Sequence, residues 1–518
     1  MFSHHNRDMK SVSTLLPFLM VMCLSVALTV CVAPPVRSES SQKSSQTNKP
    51  DFASVRKLIQ DRMAKEAVPG LAVAVVRRGE IVWEEGFGWA DRENRNPVNE
   101  HTMFYLASVT KAITATAILI LHERRKLDLD HPINDYLGPA RLSSPLWNAN
   151  GATVRRVASH TAGLTTYARS CYGTPTDCRI SEDETIQRYG IVFWPPGDHF
   201  DYSNLGYGIL GTVVARVSGK SYSDFLRDEV FRPLGMNHAS LGADPNLEKY
   251  MAKRYSSDLG ARPVAISGTP GASAVYCSAH DLALFAMLHL KTHLPYQKQI
   301  LSDSAIDKMQ ELSSPEHGMG WSIQKDLYGY RGVLGQGGTD DAYARLQLIP
   351  SEEIAVIALA NTGTLLPDAV VNEVLDTLLP AYRDRRAKAP DQPQQQRSKP
   401  DSPSTMFVGT WKGVVKTYRG DIPLTFSIND AGEVQASLGS QLRTILNKAR
   451  FDKESLTGLM SGDLGTDEDT GSDRYDLEFE LYLRGGTLNG AVTTRPRPGA
   501  RNFTRLPYWV ELKKETNP

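Results

Sequence analysis

The stretch "RDRRAKAPDQPQQQRSKPDSPST", residues 383–405, divides the chain into two regions whose hydrophobic patterns differ. It is charged, rich in Gln and Pro, and has no apolar periodicity, which is the composition of a linker. At 518 residues the chain is too long for one ordinary domain. Before the break, residues 51–382 mix two periods. "FASVRKLIQDRMAKEAV" places Phe52, Val55, Leu58, Ile59 and Met63 on one helical face. "GLAVAVVRRGEIVWEEGFGWAD" reads as two strands about an Arg78-Gly79 turn. After the break, residues 406–518 keep one period. Ile422, Leu424, Phe426 and Ile428 alternate, turn at Asn429 to Gly432, and resume at Val434, Ala436 and Leu438. Leu477, Phe479, Leu481 and Leu483 repeat the device, with a turn at Gly485-Gly486. Alternation with tight turns gives antiparallel strands with one buried face, so the tail is expected to be a small β-barrel. Few contacts are expected across the linker, and the tail is expected to be separable.

The N-terminus points out of the cytoplasm. His4, His5, Arg7 and Lys10 precede an apolar run from Leu15 to Ala33, and polar Ser-rich sequence follows. This is the pattern of a secretory signal over residues 1–38, with a polar leader over 39–50. The run is also near the length of a membrane span, so an uncleaved anchor is the alternative. The protein is thus expected to be secreted or periplasmic, and to touch a membrane only through this segment. Cys171 and Cys178 bracket "CYGTPTDC" and are expected to pair as a disulfide after export, leaving Cys277 a buried thiol. Lys plus Arg and Asp plus Glu balance at 58 each, which argues against a nucleic-acid partner. Neither the cysteines nor the 12 histidines show metal-ligand spacing, and no cofactor is expected.

"FYLASVTKAITATAILIL" sets Ser108 and Lys111 three residues apart at the head of an apolar run. The spacing recurs at Ser40–Lys43, Ser54–Lys57 and Ser322–Lys325, so alone it says little. At helical spacing, however, the two side chains share a face, and a serine hydroxyl needs a base to become a nucleophile. An apolar wall lowers a lysine's pKa toward that role. Three later stretches give the pair its context: "VASHTAGL" (157–164), "WPPGDHFDYSNLGYGILG" (194–211) and "GVLGQGGTDDAYARLQLIP" (332–350).

In this order the four stretches resemble the penicillin-recognising serine hydrolases, relatives of class C β-lactamases, D-Ala-D-Ala carboxypeptidases, D-aminopeptidases and esterases. The resemblance implies an α/β fold: an antiparallel sheet flanked by helices, plus an all-helical region carrying Tyr202. It implies acyl transfer to Ser108 with Lys111 as base and Tyr202 as proton shuttle. Asn204 would bind the acyl side chain and steady Lys111. The family's last triplet is Lys or His, a small residue, then Gly. Matched to Gln336-Gly337-Gly338, it leaves Gln336 without the charge that meets a substrate carboxylate. Gly338 would allow close approach, and the N–H groups of Ser108 and Thr339 would form the oxyanion hole. Asp340 and Asp341 would lie near the cleft. His160 is expected to be a packed histidine. The expected partner is a small-molecule or peptide acyl donor. An acylable sensor that binds peptidoglycan fragments is the alternative to an enzyme. "GTWKG" at 409–413 resembles the start of lipocalin-like barrels, with Trp411 expected as a core plug.

Overall fold

A computed structural model describes residues 50–171, 180–264, 266–389, 405–466, 475–497 and 503–515. The expected signal segment and the Cys171–Cys178 pair fall outside the side chains it describes. Helix α1 (Ala53–Glu66) buries Val55 and Ile59, one helical turn apart, and ends at Ala67 in a left-handed conformation. Strands β1 (Gly70–Arg77) and β2 (Glu80–Asp91) follow. Arg78 and Gly79 between them have φ of 52° and 75°, the left-handed pair that a tight hairpin turn requires. Further on come helix α2 (Thr110–Glu123) and helix α3 (Asn204–Ser218). Strands β3 (Ser322–Leu327), β4 (Tyr330–Thr339), β5 (Ala342–Ile349) and β6 (Ile354–Ala360) then precede helix α4 (Leu366–Leu378).

These strands form one antiparallel sheet in the order β3-β4-β5-β6-β1-β2, with the short strand Asn96–Pro97 at the far edge. β1 is apolar at successive positions because both of its faces are covered. Ala72, Ala74 and Val76 point into the core that holds α2, whereas Leu71, Val73 and Val75 point into the core under α1 and α4. The sheet therefore separates two chemical environments, and a side chain's parity along a strand decides which one it meets.

The first residues of the expected linker lie in a helix. Helix Pro380–Arg386 continues through its first residues, held by an ion pair from Arg386 to Asp376. Beyond it stands the expected barrel: among the described residues, nine antiparallel strands that nearly close, beginning at Gly409–Thr417 and ending at Pro507–Lys514. Leu424, Phe426, Leu477, Phe479 and Leu481 fill its interior, as the alternation requires. Trp411 is 1 % exposed and donates its indole N–H to Phe407 O at 2.7 Å, so it is the core plug expected.

The barrel makes more contact than its linker suggests. Strand Phe503–Arg505 pairs with Ala168–Cys171 of the first region, which pairs in turn with Ile266–Ser267. Phe193 and Trp194 form one buried cluster with Ala491 and Trp509 of the barrel. The expectation of few contacts across the break is corrected: aromatic rings on both sides had partners that only the tertiary fold supplies.

Candidate active site

Ser108 lies where the chain changes direction. The short strand Met103–Tyr105 pairs with Val275–Ser278, and one tight helical turn, Ala107–Val109, leads directly into α2. Ala107 is held at φ 43°, a conformation that costs a non-glycine residue energy and persists only where packing imposes it. The turn leaves Ser108 partly exposed at the start of a helix that is buried from Thr110 to Leu121.

Lys111, one turn on, is 3 % exposed. Its Nζ lies 3.0 Å from Ser108 Oγ, 2.7 Å from Asn204 Oδ1 and 3.0 Å from Ala272 O. A carbonyl oxygen can only accept. Asn204 and Ala272 thus take two N–H groups, and the third direction of the nitrogen faces Ser108. A neutral amine in this place presents its lone pair to the serine hydroxyl. Burial pushes the Lys111 pKa down, and the charge and hydrogen bonding of Tyr202 oppose this in part. The geometry is that of a base directed at one hydroxyl.

Tyr202 and Asn204 reach this lysine together. Ser203 caps α3 by accepting from Gly206 N, so Asn204 opens the helix with its side chain toward Lys111. Lys111 Nζ stands 4.8 Å from the centre of the Tyr202 ring. His160 packs beside that ring at 4.5 Å and accepts from Ser203 N through Nδ1, which places its proton on Nε2. Burial, and the Lys111 charge whenever that amine is protonated, hold its pKa well below the usual histidine range. It is a packed residue, as expected.

The glycines of β4 complete the site and shift its register. A β-carbon on Gly337 would stand 2.6 Å from Ser108 N and 2.3 Å from Leu106 O. Gly337, not Gly338, is therefore the residue whose missing side chain lets the strand approach the nucleophile. A β-carbon on Gly338 would meet the Tyr343 ring at 3.0 Å, on the opposite face. Gln336 shares that opposite face: its Nε2 donates to Tyr343 Oη, and its Oε1 accepts from Arg345 at 3.4 Å. Tyr343 and Arg345 are both tied to Asp368 of α4. In the structure Gln336 thus faces away from Ser108, whereas Gly335 and Gly337 share the face toward it. A β-carbon on Gly335 would be 3.2 Å from the Trp321 ring. Trp321, 1 % exposed, has no counterpart among the residues expected from sequence. The signal for both was the spacing of Gly335 and Gly337, two bare positions on one strand face.

The pairing of β3 with β4 ends at Leu334, so beyond that residue β4 has no neighbour on the β3 side among the described residues. In an antiparallel ladder alternate amides point away from the partner strand, so alternate amides near the end of β4 face this open edge. Thr339, the last residue of β4, is exposed and donates Oγ1–H to Asp341 Oδ1 at 2.7 Å. Asp341 does not face a cleft: it is fully buried and faces the equally buried Arg254 at 3.4 Å. Asp340 remains exposed, 3.8 Å from Arg262. Cys277 is a buried free thiol. Among the described residues, no cluster of three or more His, Cys, Asp or Glu is placed to hold a metal ion, and no helix is long and apolar enough to cross a membrane.

The sheet, the Ser108–Lys111 pair and the bare strand beside it stand on a β-lactamase-like fold. The chain belongs to the Beta-lactamase family, whose model matches residues 55–380. It is 32 % identical over 266 residues to the "Putative penicillin-binding protein PbpX" of Bacillus subtilis (strain 168), covering 50 % of this chain and 63 % of that one. It is 29 % identical over 362 residues to the "Unguisins hydrolase ungD'" of Aspergillus campestris, covering 65 % and 66 %. The chain thus spans less than two thirds of the length of either relative. Among solved structures, an octameric penicillin-binding protein homologue from Pyrococcus abyssi superposes with a TM-score of 0.55 at 21 % identity, over 88 % of this chain and all of that one. A class C β-lactamase does so with a TM-score of 0.54 at 21 % identity, over 63 % of this chain and 96 % of that one.

Proposed function

We propose that this protein is an exported serine hydrolase that forms an acyl-enzyme on Ser108 with small amide, peptide or ester substrates. The observation that carries the reading is the hold on Lys111 Nζ by Asn204 Oδ1 and Ala272 O, which leaves the third direction of a buried amine aimed at Ser108 Oγ. Lys111 takes the serine proton as Oγ attacks the substrate carbonyl. The N–H of Ser108 and the amides at the end of β4 receive the negative oxygen. Tyr202 passes the proton to the leaving group, and water then releases the acyl chain. The relatives' names support the class, one being named for penicillin binding and the other for hydrolysis of unguisins.

Charge supports a narrower choice of substrate. Gly335 supplies no cation, and Trp321 covers its place. Esters, amides and peptides with amino-terminal D-residues are therefore favoured over substrates carrying a free carboxylate beside the scissile bond. Export rests on the apolar run from Leu15 to Ala33 and its flanks.

Stopped-flow hydrolysis of a chromogenic ester tests the reading. An enzyme gives a burst followed by steady turnover. A burst with no turnover would identify an acylable sensor, and no burst with any ester, amide or β-lactam would remove the acyl-enzyme.

A further inference from the structure

Tyr202 is delivered by the segment that begins at Phe193 and Trp194, and both of these are at most 2 % exposed. The barrel supplies part of what buries them. The Phe193 ring lies 5.8 Å from that of Trp509, and the Trp194 ring meets Tyr482 edge-on at 5.0 Å. The guanidinium of Arg484 stands over Trp147, Trp194 and Tyr482 at 5.6, 5.3 and 4.9 Å from the ring centres. Such contacts fix ring orientation as well as burying area.

The orientation is passed on. Trp194 donates its indole N–H to Asp201 Oδ2 at 3.0 Å. Asp201 in turn donates its backbone N–H to His160 O at 2.9 Å. It is bonded directly to Tyr202, whose ring packs on His160. A second route runs through strand Phe503–Arg505 to Ala168–Cys171. Two residues before that strand, Thr166 donates Oγ1–H to Tyr202 O at 3.4 Å.

We propose that the barrel is a positioning element of the catalytic site: Tyr482, through Trp194 and Asp201, holds the Tyr202 phenol where it transfers the proton. The proposal rests on the reading of Ser108, Lys111 and Tyr202 given above. Proton transfer is more sensitive to misplacement than substrate capture is, so loss of the brace falls on kcat.

The test uses the full-length protein and one chromogenic ester. Tyr482→Ala removes the ring, Tyr482→Phe restores it, and Trp194→Phe keeps a ring while removing the N–H to Asp201. Tyr482→Ala and Trp194→Phe are expected to lower kcat about tenfold with KM within about twofold, and Tyr482→Phe to recover most of the rate. In a Tyr202→Phe background, Trp194→Phe is expected to change nothing further, because its effect passes through the phenol. Unchanged kcat in Trp194→Phe, or an equal loss in both backgrounds, overturns the proposal while leaving the Ser108 chemistry intact. If Tyr482→Ala fails to fold, the Trp194→Phe cycle decides alone. A parent protein that turns over no substrate fails the earlier reading instead.

Discussion

Gly337 lies against the backbone of Ser108 so closely that a β-carbon there would stand 2.6 Å from the serine nitrogen. No real β-carbon occupies such a contact, so any side chain at this position must push β4 away from the nucleophile. Gly337→Ala is expected to lower kcat/KM by about 10²-fold or more through loss of the oxyanion donors. Ester kinetics measure it. A near-parental rate would mean that the approach of the two segments is not needed.

Gln336 points to the other face, and this reverses what charge alone suggests for it. Gln336→Lys is expected to leave the ratio of kcat/KM for an acid and its methyl ester within about twofold of the parent's, where a direct ion pair would move it about tenfold or more. The same substrate pair on both proteins measures it, and a clear shift toward the acid would put Gln336 back in the site.

The Gln336 correction shows what was legible and what was not. The hairpin at Arg78-Gly79 and the barrel interior follow from local spacing, and each is where spacing puts it; the Ser108–Lys111 pair stands out only in the context of three later stretches. A difference of one residue along a strand is enough to send a side chain to the opposite face of the sheet, because strand parity has period two. The burial of Asp341 depends on Arg254, 87 residues away. The docking of Trp194 on Tyr482 crosses the break between the regions. None of these contacts leaves a local trace.

Burial holds Lys111 below the lysine range. Because a folded pKa below the unfolded value of about 10.5 means that the fold disfavours the ammonium form, the stability penalty is present at low pH. It is relieved as pH rises from the folded value toward the unfolded one. Acylation is therefore expected to rise with pH and level off below the range of a free lysine. Lys111→Met is expected to lose acylation at every pH, and the parent's stability relative to that variant is expected to improve as pH is raised. Stopped-flow acylation and urea unfolding across pH measure both, and a rate flat in pH would remove Lys111 as the base.

The barrel core predicts its own stability cost. Phe426 and Phe479 meet edge to face at 5.3 Å and are fully buried. Phe479→Ala is expected to cost roughly 3–5 kcal/mol, the range for emptying a buried aromatic site. Denaturant unfolding followed by tryptophan fluorescence measures it, and a loss below about 1 kcal/mol would mean that the barrel core is not packed as described.

The most direct measurement is the mass of the intact protein after millisecond mixing with an activated ester, followed by peptide mapping of any adduct. The parent is expected to carry one acyl group on the peptide containing Ser108, and Ser108→Ala to carry none while keeping the parental melting temperature. An adduct on another residue, or an equal adduct on the folded Ser108→Ala protein, would contradict the account.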